Sequence, residues 1–503
     1  MFIRSLKSRS GNTQVQVLEK VDGKNRVVKH LGTARTLLEL IQLKQRAADY
    51  LDQIRIKKGV VSLFDTRYTK TEFERYLDTL IFHPVRETPG YEFFSHFYRY
   101  LGFTRLNDEV FKDLVLARIL YPASKAATQE WLEEKLQKEY SLTEIYRCMQ
   151  KAFAAGYRET LEELVFKFAT ANLTPDISVL FFDVTTLYYE SAHPDELRQP
   201  GFSKDGKPNQ PQIVVTLAVT TQGFPLHLRV FSGNKFEGHT FLPCIKELVG
   251  QHGLNKLVVV ADAAMLSATN LEALEVNHLK FIVGARLGNL PRNLFTQVVT
   301  NTPKADGATV RFNLSPGRIL IVSYSQKRAY KDKSDREKQI ARANWILANP
   351  SVIAGRYKYL KRQGQGLSLN TEQIEKGRLL EGLKGYVSNA CEFSDTEIID
   401  KYSQLWMVER AFRMSKSDLK ARPVFHALRN KIEAHLTIVF AALAIIRYVE
   451  ILTNRSIAHL IKILDRVKEV VIEDPATGEI VKKYSEVTEE SRNLFNLAKI
   501  KIG

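Results

Sequence analysis

The stretch Val179-Leu-Phe-Phe-Asp183-Val-Thr185 places one carboxylate inside an apolar run. A run of this kind predicts a strand that is buried on both faces of a sheet. An ionised carboxylate is costly there unless it is paired or binds a metal ion. Hydroxyl and aromatic groups follow directly in Thr185-Thr-Leu-Tyr-Tyr189. The pattern therefore favours a functional site over a strand-end Asp that only accepts backbone hydrogen bonds.

Two acidic residues downstream are candidate partners of Asp183. Asp262 ends a second apolar strand, Lys256-Leu-Val-Val-Val-Ala-Asp262, and Glu409 lies in a helical pattern. If the two strands are sheet neighbours, their axes lie about 4.8 Å apart and both carboxylates reach one hard cation. Three carboxylates around a divalent metal indicate phosphoryl-transfer chemistry. We therefore predict Asp183, Asp262 and Glu409 as catalytic and metal-binding residues.

Each partner also has a plainer interpretation. Asp262 suits a helix N-cap, but Thr269-Asn-Leu-Glu272 has capping-box spacing and predicts a later helix start. Glu409 is otherwise an exposed helix charge, the usual position of Glu. These alternatives stay open on the residues alone.

The segment around Glu409 predicts one helix with two faces. Tyr402, Glu409 and Lys416 recur every seven residues, so they share a face with a drift of about 20° per step. A second, apolar stripe lies three residues further on and consists of Leu405, Phe412 and Leu419. An ordered polar face beside an anchored apolar one suits a site on a rigid element.

Composition favours a large protein with a polyanionic partner. A chain of 503 residues with 44% hydrophobic content is too long for one ordinary domain. The formal net charge of +17 favours nucleic acid ahead of an anionic membrane surface. Three cysteines form neither a disulfide framework nor a zinc cluster and fit a reducing cytoplasm. The most apolar segment, Leu436–Ile446, is shorter than the roughly 20 residues of a spanning helix and predicts a buried core helix.

The order of predicted elements indicates the fold class. Strands are predicted in the order Val179–Thr185, Gln212–Thr220, Leu226–Phe231, Lys256–Asp262 and Phe281–Gly284, with a helix before the last strand. This order is typical of an α/β fold with a ribonuclease-H-like mixed five-stranded sheet and flanking helices. A β-containing insertion interrupts the fold before the Glu409 helix, and a helical N-terminal region precedes it.

Six segments follow from the changes of pattern along the chain. We predict an N-terminal strand hairpin with helices (1–93), a helical DNA-binding or dimerisation region (94–172), the first part of the catalytic domain (173–285), an insertion domain (286–393), the second catalytic part with the Glu409 helix (394–450) and a C-terminal region (451–503). The insertion carries basic, aromatic-containing stretches at Lys327–Lys331 and Arg356–Arg362. These suit nucleic acid, although a solvated helix face explains any single run equally well.

Other chemistries lack support in the sequence. Gly201-Phe-Ser-Lys-Asp-Gly206-Lys207-Pro208 approaches a P-loop, but Pro208 replaces the Ser or Thr that binds Mg²⁺. There is no dinucleotide-binding glycine fingerprint, and the histidines show no metal-ligand spacing, so dehydrogenase and zinc-hydrolase interpretations are not favoured. Such a basic chain with a third acid on a late helix also suits a carbohydrate hydrolase poorly.

Together these residues resemble the bacterial DDE transposases of the insertion-sequence-four class. The resemblance spans about Ile177 to Phe425 and includes the segments Gly201–Lys207, Gly223–Leu226, Phe231–Asn234 and Arg422–His426. The class carries the signature Tyr-x2-Arg-x3-Glu-x6-Lys around its third acid. Tyr402, Glu409 and Lys416 match it, whereas Leu405 stands where the Arg belongs. Leu405 cannot make that residue's phosphate contact.

The resemblance implies a DNA transposase that binds terminal inverted repeats and moves DNA by cut-and-paste strand cleavage and strand transfer. It implies that Asp183, Asp262 and Glu409 bind two Mg²⁺ ions, for which Mn²⁺ can substitute, and that no nucleotide cofactor is needed. It also implies DNA contacts by Tyr402 and Lys416, a homodimer on DNA, and action in the bacterial cytoplasm at the nucleoid. We hypothesise that Arg413, one turn beyond Glu409, supplies part of the missing positive charge.

Two alternatives to a transposase remain. A ribonuclease-H-like nuclease that only hydrolyses would use the same three carboxylates. A non-catalytic DNA-binding derivative of a transposase would keep the positive charge and lose the metal dependence.

Overall fold

The computed structural model describes residues 1–8, 12–21, 23–57, 77–174, 177–189, 194–201, 210–236, 238–254, 257–263, 267–349, 357–363, 366–422, 424, 426–475 and 477–500. The chain forms two compact units. The first consists of Met1–Phe93, Glu133–Lys138 and Ile461–Gly503, and the second of Phe94–Leu132 and Glu139–Leu460. The segment compared above with a P-loop lies outside the described residues, apart from Gly201.

The described residues form strands and helices in alternating groups. The strands are β1 (Phe2–Lys7), β2 (Thr13–Val21), β3 (Lys24–Ala34), β4 (Ile81–Phe82), β5 (Val179–Tyr188), β6 (Gln212–Val219), β7 (Pro225–Ser232), β8 (Val258–Ala261), β9 (Lys280–Ala285), β10 (Thr309–Ser315), β11 (Arg318–Tyr324), β12 (Leu360–Gln363), β13 (Gly366–Leu369), β14 (Leu383–Ser388), β15 (Glu469–Asp474) and β16 (Glu479–Tyr484). The helices are α1 (Leu37–Lys57), α2 (Thr88–Tyr100), α3 (Glu109–Leu120), α4 (Lys125–Leu136), α5 (Leu142–Ala154), α6 (Tyr157–Asn172), α7 (Gly238–His252), α8 (Ala268–Val276), α9 (Arg292–Asn301), α10 (Gln326–Ala348), α11 (Thr371–Leu379), α12 (Asp395–Ser403), α13 (Trp406–Ser417), α14 (Arg429–Thr453), α15 (Ile457–Leu464) and α16 (Glu489–Leu497).

The first unit contains two small antiparallel sheets. The predicted hairpin is β2 and β3, and β1 adds a third strand in the order β1-β2-β3. Val15 and Val17 of β2 pack with Ala47 and Leu51 of α1 in a small core. The other sheet has the order β16-β15-β4.

The second unit is built on one mixed sheet, in the order β10-β11-β14-β9-β8-β5-β6-β7. β5 pairs antiparallel with β6 and parallel with β8, while β8 and β9 are also parallel. All eight residues of β6 are buried, as expected for an apolar run covered on both faces. The five predicted strands are neighbours in the order β9-β8-β5-β6-β7, which confirms the α/β ribonuclease-H-like fold.

The predicted strand count of five is wrong, because eight strands of this sheet are present among the described residues. Residues from the predicted insertion extend it beyond β9, where β14 pairs antiparallel with Ile282–Ala285. β11 and β10 then follow. An edge strand presents unpaired backbone groups that another strand can satisfy. The insertion therefore completes the sheet at the edge next to β8 and β9.

Helix α7 was not among the predicted elements. It contains Pro243, which removes one helical hydrogen bond and weakens a helical pattern. Phe241, Ile245 and Leu248 are nevertheless buried, and the Phe241 ring packs edge-on against Phe182 of β5 at 4.9 Å. Burial against the sheet therefore overrides the local signal.

The long helix α14 is the centre of the helical layer in the second unit. It is long and apolar enough to cross a membrane, with a mean hydropathy of 2.0, but 83% of its most apolar window is buried inside the protein. It contacts α3, α5, α6, α13 and β7. The prediction of a buried core helix is confirmed. The predicted capping box at Ser141 and Glu144 is also present at the start of α5.

Candidate active site

Asp183 lies in β5, and Asp262 directly follows the neighbouring parallel strand β8. β5 and β8 pair in the register Val179↔Val258 to Phe181↔Val260, and the same offset continued by two residues matches Asp183 with Asp262. Neighbouring strands lie about 4.8 Å apart, and side chains at equal register point to one face. Both residues are half-buried. The two carboxylates therefore share one location on the sheet.

Each Asp has a functional and a purely structural interpretation, and the local hydrogen bonds distinguish them only in part. The backbone N–H of Val184 donates to Asp183 Oδ1 at 2.7 Å, the local contact expected of an Asp that binds nearby backbone. Asp262 is not the N-cap of α8. That role belongs to Ser267, whose hydroxyl accepts from the Asn270 N–H at 3.1 Å. The predicted capping box at Thr269 is therefore wrong, because α8 begins before it.

Helix α13 carries Glu409 across β5 and β6. Val408, Ala411 and Phe412 are buried on the side that meets the sheet, as the 3.6-residue period requires. Glu409 lies in the first turn of α13 and is exposed. A carboxylate in the first turn also interacts favourably with the helix dipole.

The prediction of one helix from Tyr402 to Lys416 is wrong. α12 ends at Ser403, and α13 begins at Trp406. The N–H groups between them bond three residues back, with Leu405 to Tyr402 O at 3.1 Å and Met407 to Gln404 O at 2.9 Å. This tighter turn breaks the shared face that the seven-residue spacing predicts. The apolar stripe is confirmed, since Leu405, Phe412 and Leu419 are all buried.

Tyr402 lies close to both Asp262 and Glu409. Burial, together with the negative charges of Asp262 and Glu409, raises the pKa of Tyr402 to about 12. Its ring packs edge-on against Tyr386 with centroids 5.0 Å apart, and the Lys384 ammonium lies 4.6 Å from the ring centroid. Tyr402 is therefore a half-buried side chain packed beside Asp262 and Glu409 rather than a freely exposed one.

The close approach of Tyr402 depends on Gly284 of β9. A Cβ at position 284 would lie 2.5 Å from the Tyr402 hydroxyl oxygen and 3.3 Å from the Ala263 nitrogen. An isolated glycine inside an apolar strand is a sequence signal of such an approach. The predicted strand Phe281–Gly284 contains that signal, although the residue was not among the predicted site residues.

The insertion contributes a cation that the sequence analysis does not identify. Lys384 of β14 is half-buried, and its pKa is lowered by burial and by the positive charge of Arg328, while Glu409 opposes the shift. Its neighbour Gly385 begins the strand-like Gly385–Asn389 segment, but nothing in that pattern marks the Lys. Only the pairing of β14 with β9 brings Lys384 to the acidic residues.

The other two predicted DNA contacts lie on α13. Arg413 is exposed and Lys416 is half-buried. Lys416 lines a small cavity together with Thr185 and Leu187 of β5. The positive charge of Arg413 acts on Asp418, whose pKa is raised chiefly by burial.

A buried ion-pair network anchors α13 to α14. Glu450 of α14 is 6% exposed and accepts hydrogen bonds from Arg410 at 2.9 Å and from Arg447. Arg447 also donates to the carbonyl oxygens of Gln222 and Gly223, at 2.7 and 3.1 Å. Gly223 adopts a left-handed φ of 74°, and a Cβ there would lie 2.8 Å from Arg447 Nη2. The resemblance segment Gly223–Leu226 therefore has a structural role in positioning the Glu409 helix.

The donor set suits a hard divalent cation, but only two ligands are preorganised. Carboxylate oxygens are the ligands that Mg²⁺ prefers, and Asp183 with Asp262 present two of them in register. Within the described part of the chain, no three His, Cys, Asp or Glu residues are close enough together to hold a metal ion.

A family described as "Transposase DDE domain" matches residues 174–445, which is more than half of the chain. The chain belongs to this family of DDE transposases. It is therefore a DNA transposase, and the matched region contains Asp183, Asp262 and Glu409. A comparison with curated proteins finds no match.

Solved structures of other transposases are similar to this DDE transposase. A piggyBac transposase synaptic complex with hairpin DNA has 12% identity and a TM-score of 0.37, covering 74% of this chain and 70% of that chain. A Mos1 transposase paired-end complex with the left transposon end has 10% identity and a TM-score of 0.15, covering 32% of this chain and 53% of that chain. A pre-cleavage Mos1 transpososome has the same identity and TM-score and 54% coverage of that chain.

Proposed function

We propose that this DDE transposase mobilises a bacterial insertion sequence of the insertion-sequence-four class. It binds the terminal inverted repeats, cuts the DNA and joins the freed ends to a target by cut-and-paste transfer. The observation that supports the proposal is the parallel pairing of β5 and β8, whose register, continued by two residues, matches Asp183 with Asp262 inside the family match. A pair of in-register carboxylates suits phosphoryl transfer better than any structural role at that position.

In the proposed chemistry the three carboxylates come from different kinds of secondary structure. Asp183 and Asp262 would hold Mg²⁺ or Mn²⁺ from rigid strands, and Glu409 would add the third ligand from α13. When bound, two such ions supply the positive charge that activates a nucleophile and stabilises a leaving oxygen. Tyr402 packs closely against the backbone at Gly284, near Ala263, and the negative charge of Asp262 contributes to its raised pKa.

The proposed DNA contacts are Tyr402, Arg413 and Lys416, supported by a net charge of +17. We assign residues 94–172 to end recognition or dimerisation, and we propose a homodimer on DNA because two ends must be joined. The protein would act in the cytoplasm, at the nucleoid when bound. The Arg413→Ala variant tests one contact: it should lower the salt slope of log K for end binding by about 0.9, and an unchanged slope removes Arg413 from the interface.

The decisive experiment is strand cleavage of a duplex that carries the ends of the element encoding this chain. Wild type and Asp183→Asn are compared in Mg²⁺, Mn²⁺ and EDTA. Metal-dependent cutting at the tip, followed by strand joining and lost in the variant, supports the proposal. Cutting without joining would indicate a ribonuclease-H-like nuclease. End binding without cutting under every metal condition would indicate a non-catalytic derivative.

A further inference from the structure

A strongly basic pocket lies in the second unit, away from the carboxylates. Its volume is about 420 Å³, and it opens between the end of α3, the start of α4 and the start of α14. Six of its lining side chains carry positive charge or can acquire it: Arg118, Lys125, Lys420, Arg422, His426 and His435. No carboxylate lines it among the described residues.

Three of these groups are buried and lack a complete set of partners. Arg118, Lys125 and His435 are each 5% exposed. Arg118 Nε and His435 Nδ1 have no hydrogen-bond partner. Across the described ranges, neither Arg118 nor Lys125 forms an ion pair with a carboxylate. A buried cation without a counterion is costly, so an anion from outside the chain would stabilise the charged forms of these groups.

Other buried arginines of the same unit have carboxylate partners. Arg447 is 3% exposed and pairs with Glu450. Arg229 is 8% exposed and pairs with Glu162 at 2.8 Å and also with Glu247. The unpaired state of Arg118 and Lys125 is therefore a local property of the pocket.

No Asp or Glu contributes to the pKa shifts of Lys125, His426 and His435. The pKa of Lys125 is lowered by burial and by the charge of Arg118. Burial, then Lys125, Lys431 and Arg118, lowers the pKa of His426 to about 4. The same kinds of cause lower the pKa of His435. An anion would favour the charged form of all three groups.

The start of α4 adds backbone donors to the same pocket. Ser124 and Lys125 line it, and the Ser124 hydroxyl caps the helix by accepting from the Ala127 N–H at 3.2 Å. A helix N-terminus attracts anions. A lysine in the first turn opposes the helix dipole, so Lys125 is better explained by a bound anion than by helix stability.

We propose that this pocket binds a phosphate group of the DNA backbone. This inference rests on the proposed function, because it assigns a further DNA contact to the same enzyme. The Arg422 guanidinium lies 5.9 Å from the ring centroid of Tyr188, at the end of the strand that carries Asp183. Five residues of strand span about 17 Å, a distance that covers only a few phosphate steps along one DNA strand, because the phosphates also wind around the helix axis.

Single-site backbone neutralisation tests the pocket. End duplexes carrying one uncharged methylphosphonate at a time are bound to full-length wild type, Lys125→Met and Arg118→Met. One or two methylphosphonates, within a few nucleotides of the cleavage site, should weaken wild-type binding about tenfold and each variant less than twofold. Lys167→Met, which removes an exposed charge of α6, is the control and should respond like wild type.

Two results would overturn the proposal. The first is an identical response of wild type and both pocket variants to every methylphosphonate. The second is a rise in the melting temperature of wild type, but not of the variants, with inorganic phosphate and without any coupling to DNA phosphates, which would identify a site for a free phosphate compound. Melting curves also check folding, and two different substitutions guard against a variant that fails to fold.

The pocket and the proposed catalysis can fail independently. Asp183→Asn should retain the methylphosphonate coupling while losing cleavage. If wild type does not cut DNA but the coupling is present, the catalytic proposal fails and the pocket stands. If wild type cuts and the coupling is absent, only the pocket assignment fails.

Discussion

The chemical environment of Asp183 is set by its position between apolar neighbours. Phe182 and Val184 are fully buried on either side of it, and the register of β5 and β8, continued by two residues, matches it with Asp262. Two like charges this close repel each other unless a cation or proton lies between them. In the proposed chemistry a metal ion lies between Asp183 and Asp262, and the exposed Glu409 contributes from α13.

Removal of each carboxylate in turn tests the proposed catalytic set. Asp262→Asn and Glu409→Gln should each lower cleavage about 10³-fold or more, with DNA affinity changed less than about threefold, because a phosphate-binding surface outside the set remains. The measurement is single-turnover cleavage with a parallel binding assay. Glu337→Gln, an exposed position of α10, is the control. Metal-dependent cleavage retained by a folded single variant removes that residue from the set.

Gly284→Ala tests the packing beside Asp262. The added Cβ meets the Tyr402 hydroxyl, so we expect a loss of about 1–3 kcal/mol in the free energy of unfolding and slower cleavage. The double variant with Tyr402→Phe should recover part of both losses, since the clashing oxygen is absent. Urea unfolding and cleavage rates provide the two measurements.

The control for this glycine is Gly250→Ala in α7. The Cβ at 250 has open space around it, and alanine in a helix is about 0.5–1 kcal/mol better than glycine. Equal destabilisation by both substitutions would refute the packing argument.

At the scale of elements, α13 is stabilised by its packing and its ion pair with neighbouring elements rather than by its own helix propensity. It has twelve residues, a length at which an isolated helix is marginal. Its buried side rests on β5 and β6, and Arg410 ties it to Glu450 of α14. The break at Leu405 leaves α12 and Tyr402 attached to the β9 side of the sheet. The two short helices α12 and α13 therefore contact two separate regions of the sheet, which one straight helix would not do.

Glu450→Gln tests this anchoring. The substitution leaves Arg410 and Arg447 without their shared counterion, and breaking a buried ion pair costs about 3–5 kcal/mol. We expect that loss in urea unfolding, together with slower cleavage as α13 shifts. The matched control is Glu375→Gln, which breaks the exposed pair with Arg378 and should change stability far less. Similar losses in both variants would contradict an anchoring role for the buried network.

At the scale of the second unit, a second buried network joins the helical layer to the sheet. Glu162 of α6 accepts from Leu228 N–H at 2.9 Å and from Arg229 of β7 at 2.8 Å. Glu247 of α7 binds the other side of the same guanidinium. Burial raises the pKa of Glu162, but His227 and Arg229 outweigh it, so the pKa lies below its ordinary value. The pKa of Glu247 is lowered in the same way.

These depressed pKa values predict acid sensitivity. Their contribution to stability is complete above the unfolded value of about 4.5 and is lost as the pH falls through the folded-state pKa. Wild type should therefore lose stability below about pH 4.5 in urea unfolding. Arg229→Met should cost about 3 kcal/mol at pH 7 and should lose less further stability than wild type as the pH falls, because Glu162 without this cation no longer has so strongly lowered a pKa. Arg105→Met, at an exposed pair with Glu163, should leave the pH profile unchanged.

Local pattern predicted the central strands, but it missed helix α7 and did not show how distant elements pair. Apolar runs predicted β5, β6, β8 and β9 because burial on both faces demands such runs, and the acids at Asp183 and Asp262 were visible as exceptions within them. Spacing failed at Leu405, since a tight turn between α12 and α13 preserves a helical sequence period while changing direction. It also missed Lys384, whose role depends on β14 pairing with a strand about one hundred residues earlier.

The sequence by itself determined which segments are buried, where the carboxylates sit in them and that the chain carries excess positive charge, because these follow from residue type and local period. Only the tertiary structure decided that Asp183 faces Asp262, that the insertion extends the same sheet, and that Arg118, Lys125 and His435 converge on one pocket. These outcomes depend on pairing between distant segments. Such pairing is selected by the sum of packing and backbone hydrogen bonds over the whole unit, which no local window contains.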